Sequence, residues 1–296
     1  MNSLSKTLTS LTVETKGRVY TLLGVMILSF DSLLVRLIDS DEWTLIFWRG
    51  LLPATIFFLA QWKMDKAVLE KHFYRPAIST VLTAALFSAS TICFVFSLDH
   101  TEVTSTLVII NTAPLITAVL AFIFLKERLD TSTVIAILVA VGGIWLVFGY
   151  SPSSSALMGD ALALVTAISM SVYLIMLRKT KAAYATVFLI YSGLFTAMIA
   201  MLAGAKPFSF DSQQDIFMLL LGGVVLPGSF LLINVGPKYL PAAEASLILL
   251  LEVLFGPLLV WLILGEAPTP AVALGAGIIV ATLAVHTLWG QRRQSR

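Results

Sequence analysis

Ten long apolar segments fall in two sets of five, and this pattern limits what the chain can fold into more than any single residue does. The second set reads as a diverged copy of the first. Near the end of the first set, residues 105–114 (STLVIINTAP) lead through thirteen positions to Glu127 and then to an apolar run from Ser132. Residues 244–253 (EASLILLLEV) lead through thirteen positions to Glu266 and then to a run from Ala271, a constant offset of 139. An odd number of crossings in each copy makes the two copies traverse a bilayer in opposite directions. This is the inverted-repeat plan of many carriers, with the ligand site at the repeat interface.

Composition identifies the solvent. Of 296 residues, 58% are hydrophobic and 12% charged, too little polar surface to cover a water-soluble body. Segments of this length match helices crossing a hydrocarbon core of about 30 Å, whereas barrel strands are half as long and alternate. The expected fold is therefore an all-α polytopic membrane protein: ten transmembrane helices in two inverted five-helix repeats. Spans are expected at 19–38, 44–62, 76–98, 102–125, 131–150, 156–178, 185–204, 214–235, 241–264 and 270–290. The division is a tail at 1–18, a first repeat at 19–150, a second at 151–290 and a basic tail at 291–296. The first span carries Asp31 and lacks a small-x-small cleavage site, so it reads as a retained helix and not a signal peptide.

Of the 19 Lys and Arg residues, sixteen fall on the face bearing both termini and only Lys206 on the other, with Arg36 and Arg49 near or within spans. The positive-inside rule then places both termini in the cytoplasm. Asp39, Asp41, Glu42, Asp99, Glu102 and Asp160 lie toward the opposite face and read as a solvated rim.

Ionisable groups inside spans are costly and usually face a cavity or a partner. Asp31 and Arg49 lie at similar depth in adjacent spans and can form a pair, either a fixed bridge or one that substrate or a proton breaks. Glu252, near the midplane of the ninth span, is the leading candidate for proton exchange or for holding a substrate ammonium. Asn111 lies near the same depth in the fourth span, so a purely structural hydrogen bond to Glu252 is an open alternative. Arg36 reads as snorkelling to the interface. Weaker pathway candidates are Glu244, His286, Asn234, Trp48, Tyr173 and Tyr191. Helix breaks are expected at Pro114, at Pro227 and Gly228, and at Gly256 and Pro257, with Pro53 in the second span. Ser132-xxx-Ala136 and Ala271-xxx-Gly275 occupy equivalent positions and are expected to pack the fifth span against the tenth.

Histidines at 72, 100 and 286 and the lone Cys93 are scattered, so no metal site is expected. The sequence has no GxxxxGK[ST] loop and no HExxH, GxGD or GxSG motif, so neither ATP-driven chemistry nor intramembrane hydrolysis is expected. No catalytic residue, cofactor or nucleic-acid partner is expected. The lipid bilayer and a small molecule are, with protons as a further partner.

Residues 112–129 (TAPLITAVLAFIFLKERL) resemble the Pro, apolar stretch and Glu-Arg-Leu ending of the fourth span in the drug/metabolite transporter superfamily, in its ten-span members with two EamA domains. Gly256-Pro257 and residues 264–268 (LGEAP) match in the second copy, and Phe47-Trp48-Arg49 is similar to the aromatic-Arg signature of the first domain. The resemblance covers about 19 to 290 and departs from the family where Glu252 is followed by Val253 instead of Pro. It implies the architecture of a transporter and says hardly anything of substrate; the midplane carboxylate Glu252 tilts the expectation to a secondary transporter exporting an amino acid, amine or related amphipathic solute by alternating access with proton antiport. An uncoupled facilitator or lipid flippase on the same fold is the alternative. The expected location is a bacterial plasma (inner) membrane, and monomer and homodimer both remain open.

Overall fold

The computed structural model describes residues 13–64, 66–74, 76–126, 129–149, 153–179, 185–207, 212–240 and 242–294. Among them all regular structure is helical, and ten helices are long and apolar enough to cross a membrane. These are span 1 (Thr15–Leu37), span 2 (Glu42–Met64), span 3 (Ile78–His100), span 4 (Val103–Leu125) and span 5 (Thr131–Gly149). The second set is span 6 (Ser154–Tyr173), span 7 (Thr186–Ala203), span 8 (Gln214–Val235), span 9 (Glu244–Leu264) and span 10 (Pro270–Trp289). A short helix, Lys66–Phe73, lies between spans 2 and 3. Glu127 and Arg128, which end the span 4 motif, fall outside the described residues.

The repeat extends to single residues of backbone. Span 4 consists of segments Val103–Ile110 and Ala113–Leu125, and span 9 of Ala242–Leu249 and Glu252–Leu264, each boundary displaced by 139 positions. Both end on a left-handed residue, Lys126 (φ 55°) and Gly265 (φ 75°). In span 4, Pro114 has no N–H and its ring crowds the preceding turn, which accounts for a break at Asn111 and Thr112. In span 9 the break falls at Leu250 and Leu251, where no proline stands. Pro257, expected to mark it, lies inside the continuous segment Glu252–Leu264. The expectation of a break at Gly256 and Pro257 is therefore corrected. A proline removes one helical hydrogen bond, which a tilted turn absorbs, whereas the repeat geometry places the interruption before Glu252.

Span 8 differs from expectation in a similar way. Pro227 and Gly228 do not open the helix, because a π-helical turn over Leu221–Val225 precedes them and leads directly into Leu226–Val235. A π turn realigns the backbone around a missing donor. Pro53 likewise lies within the uninterrupted helix of span 2. Span 1 is interrupted at Ser29, where the hydroxyl donates to the carbonyl of Val25 (2.9 Å), a back-bond that bends helices.

Packing follows a pseudo-two-fold axis. Spans 2 and 7 pack on each other, as do spans 5 and 10, and each pair consists of repeat equivalents. Span 3 packs on span 6 as span 8 does on span 1, and span 4 on span 6 as span 9 does on span 1. Spans 2 and 7 meet at Gly50 and Gly193, where a Cβ on Gly50 would lie 2.6 Å from the Gly193 carbonyl oxygen. Spans 5 and 10 meet at Gly143 and Gly275. Gly275 belongs to the expected small-residue pattern, but its partner on span 5 lies two turns beyond Ala136. Leu33, Leu34, Ile46, Val95, Leu98 and Leu221 form the largest apolar core, joining spans 1, 2, 3 and 8.

Candidate functional site

Spans 1, 2 and 9 bring three ionisable side chains to the centre. Arg49 donates from Nη1 to Asp31 Oδ1 and from Nη2 to Asp31 Oδ2, the second bond at 2.7 Å. Side-chain exposures of 8% for Arg49 and 6% for Asp31 place the bridge out of solvent. The guanidinium also lies over the Phe94 ring, 4.9 Å from its centroid, a cation–π contact that supplies part of what water would have provided. Pro53 and Gly50 flank Arg49 on span 2, and the Gly50 crossing holds that helix against span 7.

Glu252 is the first residue of the second segment of span 9 and is half-buried. Its carboxyl interacts electrostatically with both Asp31 and Arg49, repelled by the first and attracted by the second. One turn on, Gly256 lets span 9 approach its neighbours: a Cβ there would lie 2.5 Å from Leu107 Cδ1 of span 4 and 3.3 Å from Ser32 Oγ of span 1. Ser32 Oγ and Arg49 Nε are both buried without a hydrogen-bond partner. Polar atoms so placed are the ones a ligand or water can satisfy.

Asn111 stands at the break of span 4, where its amide donates to the carbonyl of Leu107 (2.9 Å) in its own helix. Among the described residues no hydrogen bond joins it to Glu252. The Leu107 carbonyl already accepts the Asn111 backbone N–H (3.0 Å), and the amide folds back on it as a second, local donor.

The weaker candidates separate from the centre. Glu244 pairs with Arg18 of span 1, Nε to Oε1 at 2.5 Å. His286 Nε2 meets Thr133 Oγ1 at 3.0 Å across the crossing of spans 5 and 10. Asn234 is exposed and its amide bonds to the carbonyl of Phe230 at 2.7 Å. Tyr173 stacks on Phe188 at 4.7 Å and meets Phe87 edge-on, while Tyr191 stacks on Phe73 and its hydroxyl donates to the Phe73 carbonyl. The Trp48 ring meets Phe47 edge-on, and its carbonyl faces Gly222 in the π turn of span 8.

The rim reading of the acidic residues needs correction at Asp160, whereas Asp41 is exposed and Glu102 half-buried, each with a structural hydrogen bond. Asp160 is 1% exposed and accepts from Thr101 Oγ1 (2.8 Å), tying the span 3–4 turn to span 6. Glu102 accepts from the backbone N–H of Thr269 at 3.1 Å, just before span 10. Asp41 accepts from the N–H of Thr44 (3.0 Å) and so caps span 2. The spacing of Asp41 from Thr44 was a legible capping signal. Burial of Asp160 had none, because its partner comes from another helix.

The profile of the EamA-like transporter family matches residues 15–149 and again residues 157–288. A protein of Clostridium kluyveri described as an uncharacterized transporter is 26% identical over 197 residues, which span 62% of this chain and 63% of that relative's length. A solved crystal structure superposes with a TM-score of 0.66 at 16% identity, covering 94% of this chain and 99% of that one, a likeness of fold.

Proposed function

Because the chain belongs to the EamA-like transporter family, we propose that it is a secondary active transporter that exports a small organic metabolite by alternating access, coupled to proton antiport. The observation that carries this reading is the charge at the centre. Asp31 and Arg49 cancel each other, so an ionised Glu252 leaves one uncompensated negative charge among buried groups. Such a charge is costly in a membrane interior. Either a proton or a cationic group neutralises it, and the two exclude each other at a single carboxylate. That exclusion is what an exchange mechanism requires, since a carrier bearing neither is penalised in crossing between its two states.

The cargo that fits is an amine, amino acid or related zwitterion, with its ammonium at Glu252 and its polar remainder reaching Ser32 Oγ and Arg49 Nε. Phe94 already lies under the guanidinium, so aromatic surface adjoins the site. The excess of Lys and Arg on the face of the termini supports a cytoplasmic location for both ends in a bacterial plasma membrane. Residues 19–150 and 151–290 are the two bodies that rock about the site, flanked by tails at 1–18 and 291–296.

The test is flux in reconstituted vesicles under an imposed pH gradient, using amino acids and amines that raise the thermal stability of the purified protein. Gradient-driven accumulation that is lost in Glu252→Gln, with the variant still folded, is the expected result. Flux indifferent to the gradient in the unmodified protein makes it an uncoupled facilitator, and translocation of lipid alone makes it a flippase.

A further inference from the structure

Spans 1 and 9 are joined at both ends by an arginine–glutamate pair, and in each pair the arginine comes from span 1. At the end nearer the termini, Arg18 Nε lies 2.5 Å from Glu244 Oε1, with Nη2 3.4 Å from Oε2. At the other end, Arg36 Nη2 lies 3.6 Å from Glu266 Oε2 and donates to the carbonyl of Thr101 at 2.7 Å. The two arginines are eighteen residues apart, roughly 27 Å along a helix, close to the thickness of a hydrocarbon core of about 30 Å. Between them lie Asp31 and Glu252.

We infer that Arg18–Glu244 and Arg36–Glu266 are the two gates of a single seam between spans 1 and 9, opening alternately on opposite faces of the membrane. The assignment rests on the transport reading above and adds the residues that control access. Three observations support it. First, each span bends or breaks near the level of the central charges, at Ser29, whose hydroxyl back-bonds to Val25 while its backbone N–H keeps the helical bond, and at Leu250 and Leu251, so each gate lies on its own side of a bend. Val13–Leu28 and Ala242–Leu249 carry one pair; Phe30–Leu37 carries Arg36, and Glu252–Leu264 leads through left-handed Gly265 into Glu266. One end can therefore part without unwinding the other.

Second, the pairs differ in burial from the central bridge in the sense that gating requires. Side-chain exposures are 53% and 27% for Arg18 and Glu244 and 22% and 46% for Arg36 and Glu266, against 8% and 6% at Arg49 and Asp31. Exposed pairs contribute little and separate readily, since water replaces the partner, whereas parting the buried bridge strands charges in the interior. Third, both pairs are formed together in this structure, so both gates are closed here.

The test uses the full-length chain in lipid vesicles. Cys93, the single cysteine, is replaced by Ser and a reporter is placed in the seam by Ser32→Cys. A membrane-impermeant maleimide is then added from either face. Glu244→Gln should raise the labelling rate about two- to fivefold from the face of the termini alone, the range that an exposed pair can shift. Glu266→Gln should do so from the opposite face alone. Charge exchange, Arg18→Glu with Glu244→Arg, should return the rate toward its starting value. Acceleration from the same face in both variants, or from neither, overturns the assignment. Labelling reads conformation and not flux. Flux is measured on the chain with Ser32 intact: sided labelling with no solute flux through that chain defeats the transport reading and leaves the gates, whereas proton-driven flux through it with unchanged labelling defeats the gates alone.

Discussion

Arg49 of span 2 gives both of its Nη groups to the carboxylate of Asp31 on span 1, so each side chain in this buried bridge neutralises the other. Removing one member leaves the other charged and out of water. Arg49→Met and Asp31→Leu should each destabilise the protein by about 3–5 kcal/mol. The double replacement should recover much of that stability without restoring transport, a split visible when thermal unfolding in detergent is compared with flux.

Glu252 lies close enough to the bridge to sense both of its charges. Glu252→Gln should retain the thermal stability of the parent protein but lose the difference in ligand stabilisation between pH 6 and pH 8. Glu252→Asp should keep that difference with weaker binding. A glutamine variant that still shows the pH difference would remove Glu252 from the coupling role.

His286 meets Thr133 where spans 5 and 10 cross, away from the central charges. His286→Gln preserves hydrogen-bonding capacity, so flux and its dependence on the pH gradient should both stay within about twofold of the parent. Loss of the gradient dependence in this variant would show that the histidine relays protons.

The crossing of spans 2 and 7 has no room for a side chain at Gly193, where a Cβ would meet that of Ala54 at 2.8 Å and crowd the Gly50 carbonyl. Gly193→Val should cost at least about 1–3 kcal/mol by overpacking. Gly142→Ala, on an open face of span 5 with nothing within 4 Å, should be neutral or slightly stabilising. Thermal unfolding of the two variants side by side decides the matter, and equal losses would place the interface elsewhere.

Thr101 donates to the buried carboxylate of Asp160. Thr101→Val removes that donor and should cost about 1–3 kcal/mol, while Thr101→Ser should cost much less. Unfolding temperatures that do not separate the two variants would mean that other contacts of Asp160 carry the load.

The candidate centre was partly legible. Asp31, Arg49 and Glu252 stood out because ionisable groups are rare within long apolar runs, and depth counting along two neighbouring helices placed the first two at one level. Asn111 and Pro257 show where such counting stops. Depth says that two residues lie at one height, but the rotation of each helix decides whether they face each other, and the Asn111 amide turns back to Leu107. Proline marks a lost hydrogen bond, but in span 9 the chain breaks at Leu250 and Leu251, before the proline. Arg36, read singly as an interfacial residue, and Glu244, read as a weaker pathway candidate, acquire meaning from the partners that face them across the seam.

By itself the sequence determined that the chain crosses a bilayer ten times in two related sets of five, because segment length and the absence of charge are local properties tied to the thickness of the hydrocarbon. The 139-residue offset also determined that the two sets share one backbone plan. Only the tertiary structure decided which helices touch, where spans 4 and 9 break, that Asp160 is buried, and that one seam carries a charge pair at each end. Those outcomes depend on helix rotation and close approach between segments far apart in the chain, and the energy of a buried charge is set by neighbours that no local stretch of sequence contains.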